Sequence, residues 1–415
     1  MRAGSTELFA LPWLEPLGEW DAAVVEFRDI AVGLSRHLVR FVEADGRLWA
    51  LKELPRRTAL HEYTMLRELE QRSMAAVRAA GLVIQPLEDT AILVTHFLER
   101  SWQYRRLLLR VPFTSTAHRA RLFDAVAGLL VDLHRNGIFW GDCSLNNSLF
   151  MRDGQEIRAW LVDAETAECH ALLSDGQRQL DLEIMVENVL GGLLDVAARL
   201  EAPEGIVDQL VAEAEGVASR YEHLWTLLHD EPLVSLSDAD QVDARLRRLN
   251  DLGFAVDEVR LEAAGGAGER ARLRTAVAGR TFHADRLRVL TGLEVGEGQA
   301  TVLMHDLRAH RDRLREEWRE DVPEPVAARF WMHDVYTPGV EQAHRAVALL
   351  GDPVQAYCDL LEVRWLLSEQ AGEDVGDGPA LEALARQRAP DGSAATMGIL
   401  DVTTREVPVV GADEP

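Results

Sequence analysis

Phe139-Trp140-Gly141-Asp142-Cys143-Ser144-Leu145-Asn146-Asn147-Ser148-Leu149-Phe150 is followed downstream by Leu161-Val162-Asp163-Ala164-Glu165-Thr166. In both stretches a short apolar run, the mark of a buried strand, hands over to polar residues. Asp142 and Asn147 stand five residues apart, so one loop presents both side chains. Asp and Asn are also common turn residues, but the apolar runs around them and Asp163 beyond them favour a site. Far upstream lies Leu48-Trp49-Ala50-Leu51-Lys52-Glu53-Leu54, another apolar strand. Lys52 is the only lysine among 44 Lys and Arg residues. Lysine is a compact charge on a thin stem, whereas arginine is a wide planar fork. A strand position that must reach a phosphate is one place where that difference matters; the other reading is that the one lysine falls there by chance.

Working outward, strand-like runs cover 24–32, 35–43 and 47–54, with a hairpin turn at Ala44-Asp45-Gly46. A helical pattern covers 58–80. Two further strands are expected at 82–86 and 90–97, and a helix over 119–136 that stops at Gly137. Short strands at 138–140, 149–151 and 159–162 precede helices over 179–200 and 204–229. Beyond residue 231 the composition changes. Ser237 can cap a helix running to Asp251. Two strands, 255–261 and 271–277, flank the turn Gly265-Gly266-Ala267-Gly268, and residues 284–388 read as mostly helical. Residues 1–22 form an N-terminal extension with apolar side chains to pack. The Gly-, Pro- and acid-rich end, 389–415, is expected to be disordered.

The length suggests two or three domains. The formal charge of −25, without a basic block, argues against nucleic acid or an anionic membrane surface as partner. Three separated cysteines, Cys143, Cys169 and Cys358, give neither a disulfide framework nor a metal-ligand spacing, so a reducing cytoplasm is expected. No uncharged apolar run is long enough to span a bilayer. His283, His305, His310 and His333 lack the pairing of a zinc helix. Arg245, Arg247 and Arg248 read as a solvated helix face rather than an anion site. Trp331, Tyr336, Tyr357 and Trp365 read as core.

The order of the elements is Gly33-Leu34-Ser35-Arg36-His37 in a turn, Lys52 on a strand, Glu62 on the next helix, the Gly141-Asp142 to Asn147 loop, and Asp163 after a strand. This order resembles the protein-kinase-like phosphotransferases over residues 24–230. The resemblance implies ATP and Mg2+ as cofactors, with a hydroxyl as phosphate acceptor. Lys52, steadied by Glu62, would clamp the phosphates beneath the Gly33 turn. Asn147 and Asp163 would hold Mg2+ through oxygen atoms. Asp142 would orient or deprotonate the acceptor as the catalytic base. Adenine would meet the backbone near His96 to Leu98, with Thr95 behind it. Glu165 reads as a group behind the metal ligands or as an extra metal ligand, and Asp181 as either a brace for the loop or a solvated residue.

Departures from protein kinases narrow the match. The loop reads Trp-Gly-Asp rather than His-Arg-Asp, and Ser144 stands where Ser/Thr protein kinases carry lysine. No room exists for a full activation segment. The two quoted stretches, with Arg245–Phe254 and Leu361–Glu369, resemble a bacterial family, domain-of-unknown-function family 4032, whose members carry a lipopolysaccharide-kinase-like domain. The expected fold is therefore α+β. It has two lobes, a small antiparallel sheet and a helical lobe, over 23–230, followed by a mostly helical α+β domain over 231–388. The expected activity is phosphoryl transfer to a small molecule, sugar or lipid-linked glycan. The rivals are an ATP-binding pseudokinase scaffold acting through a protein partner of residues 231–388, and nucleotidyl transfer on the same fold.

Overall fold

The computed structural model describes residues 6–30, 36–86, 88–110, 116–202, 205–235, 239–263 and 270–386. Gly33, Ser237, the 265–268 turn and the tail lie outside the described residues. Phe27–Arg28 (β1), Leu38–Ala44 (β2), Arg47–Pro55 (β3), Ala79–Ile84 (β4) and Thr90–His96 (β5) form an antiparallel sheet in the order β1-β2-β3-β5-β4. The β2–β3 hairpin turns through Asp45 and Gly46, both at positive φ, which the short polar side chain and glycine tolerate best. Alternation buries Trp49 and Leu51 on one face and turns Lys52 to the other, which it shares with buried Leu54. The N-terminal segment, Thr6–Phe9 (α1) and a short turn at Leu17–Glu19, packs Leu8, Leu17 and Trp20 against Trp49, Leu51 and Val94.

Arg56–Gln71 (α2) follows β3 directly and buries Ala59, Glu62, Met65, Leu66 and Leu69. The helix expected to reach residue 80 ends much earlier. Ser73 takes a positive φ of 57°, and the chain beyond it is extended. The Val77 amide donates to Leu161 O and the Leu161 amide to Ala75 O, at 3.0 and 2.9 Å. Alanine is the strongest helix former, but propensity is a weak prior, and the pairing with Leu161 overrides it here. Of the strand expected over 24–32, residues 31 and 32 lie outside the described residues, and among the others only Phe27 and Arg28 pair with β2.

Helices dominate next: Tyr104–Arg110 (α3), Thr116–Arg135 (α4), Asp175–Arg199 (α5) and Ile206–His229 (α6). Ser174 and Gln177 start α5 with a reciprocal capping box. Trp102–Gln103 (β6), Ser148–Asp153 (β8) and Glu156–Leu161 (β9) form a three-stranded sheet, and Ile138–Phe139 (β7) pairs with Glu168–Cys169 (β10). These short strands frame the loop at 140–147 and the segment at 162–167.

The described residues divide into two compact units, those up to Met151 with Arg158–Tyr221, and Arg152–Ile157 with those from Glu222 to Arg386. The second holds Leu233–Ser235 (β11), Ala239–Asp251 (α7), Val256–Ala263 (β12) and Arg270–Val277 (β13), the strands in the order β11-β13-β12. Six helices follow: Phe282–Thr291 (α8), Glu297–Trp318 (α9), Glu324–Trp331 (α10), Thr337–Ala346 (α11), Pro353–Ala371 (α12) and Asp377–Ala385 (α13). Leu303, Met304, Leu307, Trp331 and Val363 are fully buried among them. Trp331, Tyr336 and Tyr357 are core as expected, but Trp365 is not. It stands 61% exposed on α12. Among the described residues no helix is long and apolar enough to cross a membrane. The architecture is the expected α+β one, an antiparallel-sheet lobe and a helical lobe of kinase-like fold with a mostly helical region after them.

Candidate active site

Strand register aims Lys52 at the site. It sits in the middle strand, opposite Val39 of β2 and Leu93 of β5. Its Nζ lies 3.2 Å from Glu62 Oε2, 2.6 Å from Asp163 Oδ2 and 3.8 Å from Glu165 Oε2. One ammonium thus meets three carboxylates. Burial opposes the Lys52 charge, but Glu62 and Asp163 outweigh it and raise the pKa. Glu62, on the inner face of α2, is 1% exposed. Burial, with Asp163's charge added, pushes its carboxyl up to about 7, against the pull of Lys52.

The segment after β9 is held from several sides. Asp163 Oδ1 accepts from the Glu165 amide at 3.1 Å, and the Trp140 indole donates to Asp163 O at 3.3 Å. The His61 ring on α2 lies 2.9 Å from Ala167 O. His37 Nε2 lies 3.2 Å from Glu165 Oε2. Glu165 is therefore part of the charge cluster rather than behind it, and His37 faces a carboxylate. Spacing alone did not pair them, since these two residues come from segments far apart in sequence.

The loop from Trp140 to Asn147 is set by one buried acid. Asp181 on α5 is wholly buried. It accepts the Trp140 amide at 2.7 Å and the Gly141 amide at 2.8 Å. His134 of α4 lies 3.0 Å from the same carboxylate through Nε2, and its Nδ1 is 2.8 Å from the Tyr221 hydroxyl. Burial lowers the His134 pKa despite Asp181. The neutral ring therefore donates from Nε2 and accepts from Tyr221. Asp181 is the brace, not a solvated residue. His134 and Tyr221 are partners that sequence reading missed. Each looked like an ordinary helix residue, and no spacing rule links them.

Gly141 explains the Gly-Asp form of the loop. Its φ is +79°, and a Cβ there would lie 2.9 Å from Thr166 O. Thr166 in turn donates from Oγ1 to Trp140 O at 2.9 Å. Asn147 Nδ2 donates to both Asp142 O and Asp142 Oδ2 at 3.1 Å, which leaves its own carbonyl oxygen as the available donor atom for a cation. The Val162 amide donates to Asn147 O at 3.0 Å, tying the two candidate metal-ligand segments together.

Of the remaining sites read from sequence, His96 ends β5. Its amide donates to Arg78 O at 2.9 Å, and its ring lies 4.6 Å from that of Trp49. Leu98 follows, and its carbonyl accepts from Ser101 Oγ at 2.7 Å. Gly33 is outside the described residues. Among the described residues, the side chains of Glu62, Asp163 and Glu165 offer ligand atoms within 4.8 Å of one another. An all-oxygen set of this kind suits a hard divalent cation. In the second unit His283 is buried against Glu297 at 2.7 Å. Arg245 closes the end of α6 by donating to Leu227 O and, at 3.1 Å, to Asp230 O.

The profile of the lipopolysaccharide kinase (Kdo/WaaP) family matches residues 43–200, and that of the domain of unknown function DUF4032 matches residues 223–387. No curated protein matches the sequence. Among solved structures, one described as WaaP in complex with acyl carrier protein aligns with a TM-score of 0.32 and 18% identity, over 48% of this chain and 87% of that one. The chain thus carries a stretch similar to the lipopolysaccharide kinase (Kdo/WaaP) family and, after it, one similar to family DUF4032.

Proposed function

We propose that this chain is an ATP- and Mg2+-dependent phosphotransferase acting on a hydroxyl of a small molecule, sugar or lipid-linked glycan. The observation that carries the reading is Lys52, held by buried Glu62 on one side and Asp163 on the other. A strand lysine fixed between two carboxylates orients a phosphate chain with little freedom left to lose. The family match over the same residues supports a kinase-like transferase.

In this reading Lys52 binds phosphate oxygens, and Glu62 keeps its ammonium from turning away. Asn147 and Asp163, with Glu165 beside them, would hold Mg2+, whose charge would shield the phosphate oxygens. Asp142 faces the acceptor. Its carboxylate, fixed by Asn147 Nδ2, would orient the hydroxyl and take its proton as the oxygen attacks the γ-phosphorus, while the bond from that phosphorus to the bridging oxygen breaks and ADP leaves. Asp181 holds that loop by its backbone, so Asp142 stays free to act by its side chain. His96 to Leu98 would meet the adenine edge.

The test uses ATP labelled on the γ-phosphate beside ATP labelled on adenine, with candidate glycan and small hydroxyl acceptors. Mass analysis of a product that gains only the γ label supports the reading. A product carrying the adenine label replaces it with nucleotidyl transfer. Binding of ATP with no transfer to any acceptor returns the chain to a scaffold role.

A further inference from the structure

We propose that the turn of the β8–β9 hairpin is a positioning device for Asn147 and Asp163, and that Arg152, Gln355 and Asp359 act as its positioning residues. The idea rests on the reading of Asn147 and Asp163 as metal ligands. Both flank one hairpin. Asn147 immediately precedes β8, and Asp163 follows β9 after Val162, whose amide closes the base on Asn147 O.

The other end of the hairpin belongs to the second compact unit, and there its turn is held far more firmly than a surface turn requires. The Arg152 side chain is 5% exposed. Two of its nitrogens donate to the two carboxylate oxygens of Asp359 on α12, one at 2.9 Å. A buried ion pair of this kind is costly to form and more costly to break, because removing one partner strands a charge. Gln355, one helical turn earlier, reads the peptide of Gly154 from both sides. Its Oε1 accepts the Gly154 amide at 2.9 Å, and its Nε2 donates to Gly154 O at 2.8 Å. Asp153 Oδ1 accepts the Gln299 amide at 2.9 Å.

Backbone shape agrees. Gly154 has a φ of +64°, and a Cβ on it would lie 2.5 Å from Gly298 O. A Cβ on Gly298 would lie 2.0 Å from Asp153 O. Glycine on both sides lets two backbones touch where any side chain would part them. In a hairpin the turn sets the register of the paired strands, so what holds the turn bears on the placement of its base.

Hydrogen exchange on the full chain tests this in Gln355→Ala, with Tyr357→Phe as control. Tyr357 lies on the same helix but donates to Asp306 at 2.8 Å rather than to the turn. The Val162 amide is expected to exchange about tenfold faster in Gln355→Ala and at the wild-type rate in Tyr357→Phe. The Mg2+-dependent gain in ATP affinity, read by calorimetry, is expected to shrink several-fold in the same variant (about fivefold). Asp359→Asn, which keeps the shape and removes the charge, is expected to exceed both effects. Unchanged exchange in Gln355→Ala overturns the proposal, as does equal acceleration in both variants. Faster exchange with an unchanged Mg2+ gain overturns the positioning role. A wild type that does not bind Mg-ATP overturns the functional reading, and with it the role of these residues toward a metal, whereas the exchange result then still decides the mechanical link.

Discussion

Asp181→Asn is a small change in shape with a large expected effect. The wild-type carboxylate only accepts. It takes the Trp140 and Gly141 amides at 2.7 and 2.8 Å and the His134 ring at 3.0 Å, in a wholly buried place. Asparagine brings one acceptor oxygen and one NH2 group. The two backbone amides address different oxygens, so whichever way the amide turns, one of them faces an N–H donor. One charge-assisted hydrogen bond goes, worth about 2 kcal/mol. One buried donor is left unpaired, costing about 1–3 kcal/mol more. With partial relaxation the sum is about 3 kcal/mol, a large share of the roughly 5–15 kcal/mol typical of a folded domain. Urea unfolding followed by far-UV circular dichroism measures it. A midpoint shift worth less than about 1 kcal/mol would refute the reasoning, because the brace would then be solvated or replaceable.

Three other outcomes are expected. Gly141→Ala meets both the positive φ and the 2.9 Å approach to Thr166 O, and should cost about 2–3 kcal/mol in thermal unfolding. A wild-type-like melting temperature would mean that the loop rearranges freely. Glu62 supplies a pH dependence. Its folded pKa of about 7 lies above the ordinary 4.5, so the folded state holds this proton more tightly than the unfolded chain does. The stability so conferred is full below the unfolded value and is lost as pH rises through about 7. Wild type minus Glu62→Gln should therefore fall by up to about 3 kcal/mol between about pH 5 and pH 8 in metal-free urea titrations, and a flat difference would contradict the burial argument. Lys52→Arg puts a wide fork where Glu62, Asp163 and Glu165 converge, and should weaken nucleotide binding about as much as Lys52→Ala, tenfold or more. Retained affinity in calorimetry would show that the site asks only for a charge.

Sequence made the polar skeleton of the site readable because the chemistry ties residue types to element ends. Lys52 falls within an apolar strand, Asp163 just after another, and Asp142 and Asn147 share one loop. The structure brings Lys52, Glu62 and Asp163 together, and separately Asp142 and Asn147. What stayed hidden depends on contacts across long separations. His37 with Glu165, His134 with Asp181, and Arg152 with Asp359 leave no local pattern. The error at 72–80 is of the same kind, since an alanine-rich run was pulled into strand pairing by Leu161. Trp365 was misjudged because an aromatic residue at helical spacing says nothing of whether its face is covered. Arg245 was read as solvated, yet it closes the end of α6, a role visible only once that helix end is placed.

The central claim, that Lys52 and Asp163 form a site for Mg-ATP, is tested most directly by isothermal calorimetry of Mg-ATP with wild type, Lys52→Ala and Asp163→Ala. Binding by the wild type that weakens at least tenfold in both variants, each still folded, is the predicted result. A folded wild type that takes up no Mg-ATP, or variants that bind it as tightly as the wild type does, would contradict the claim.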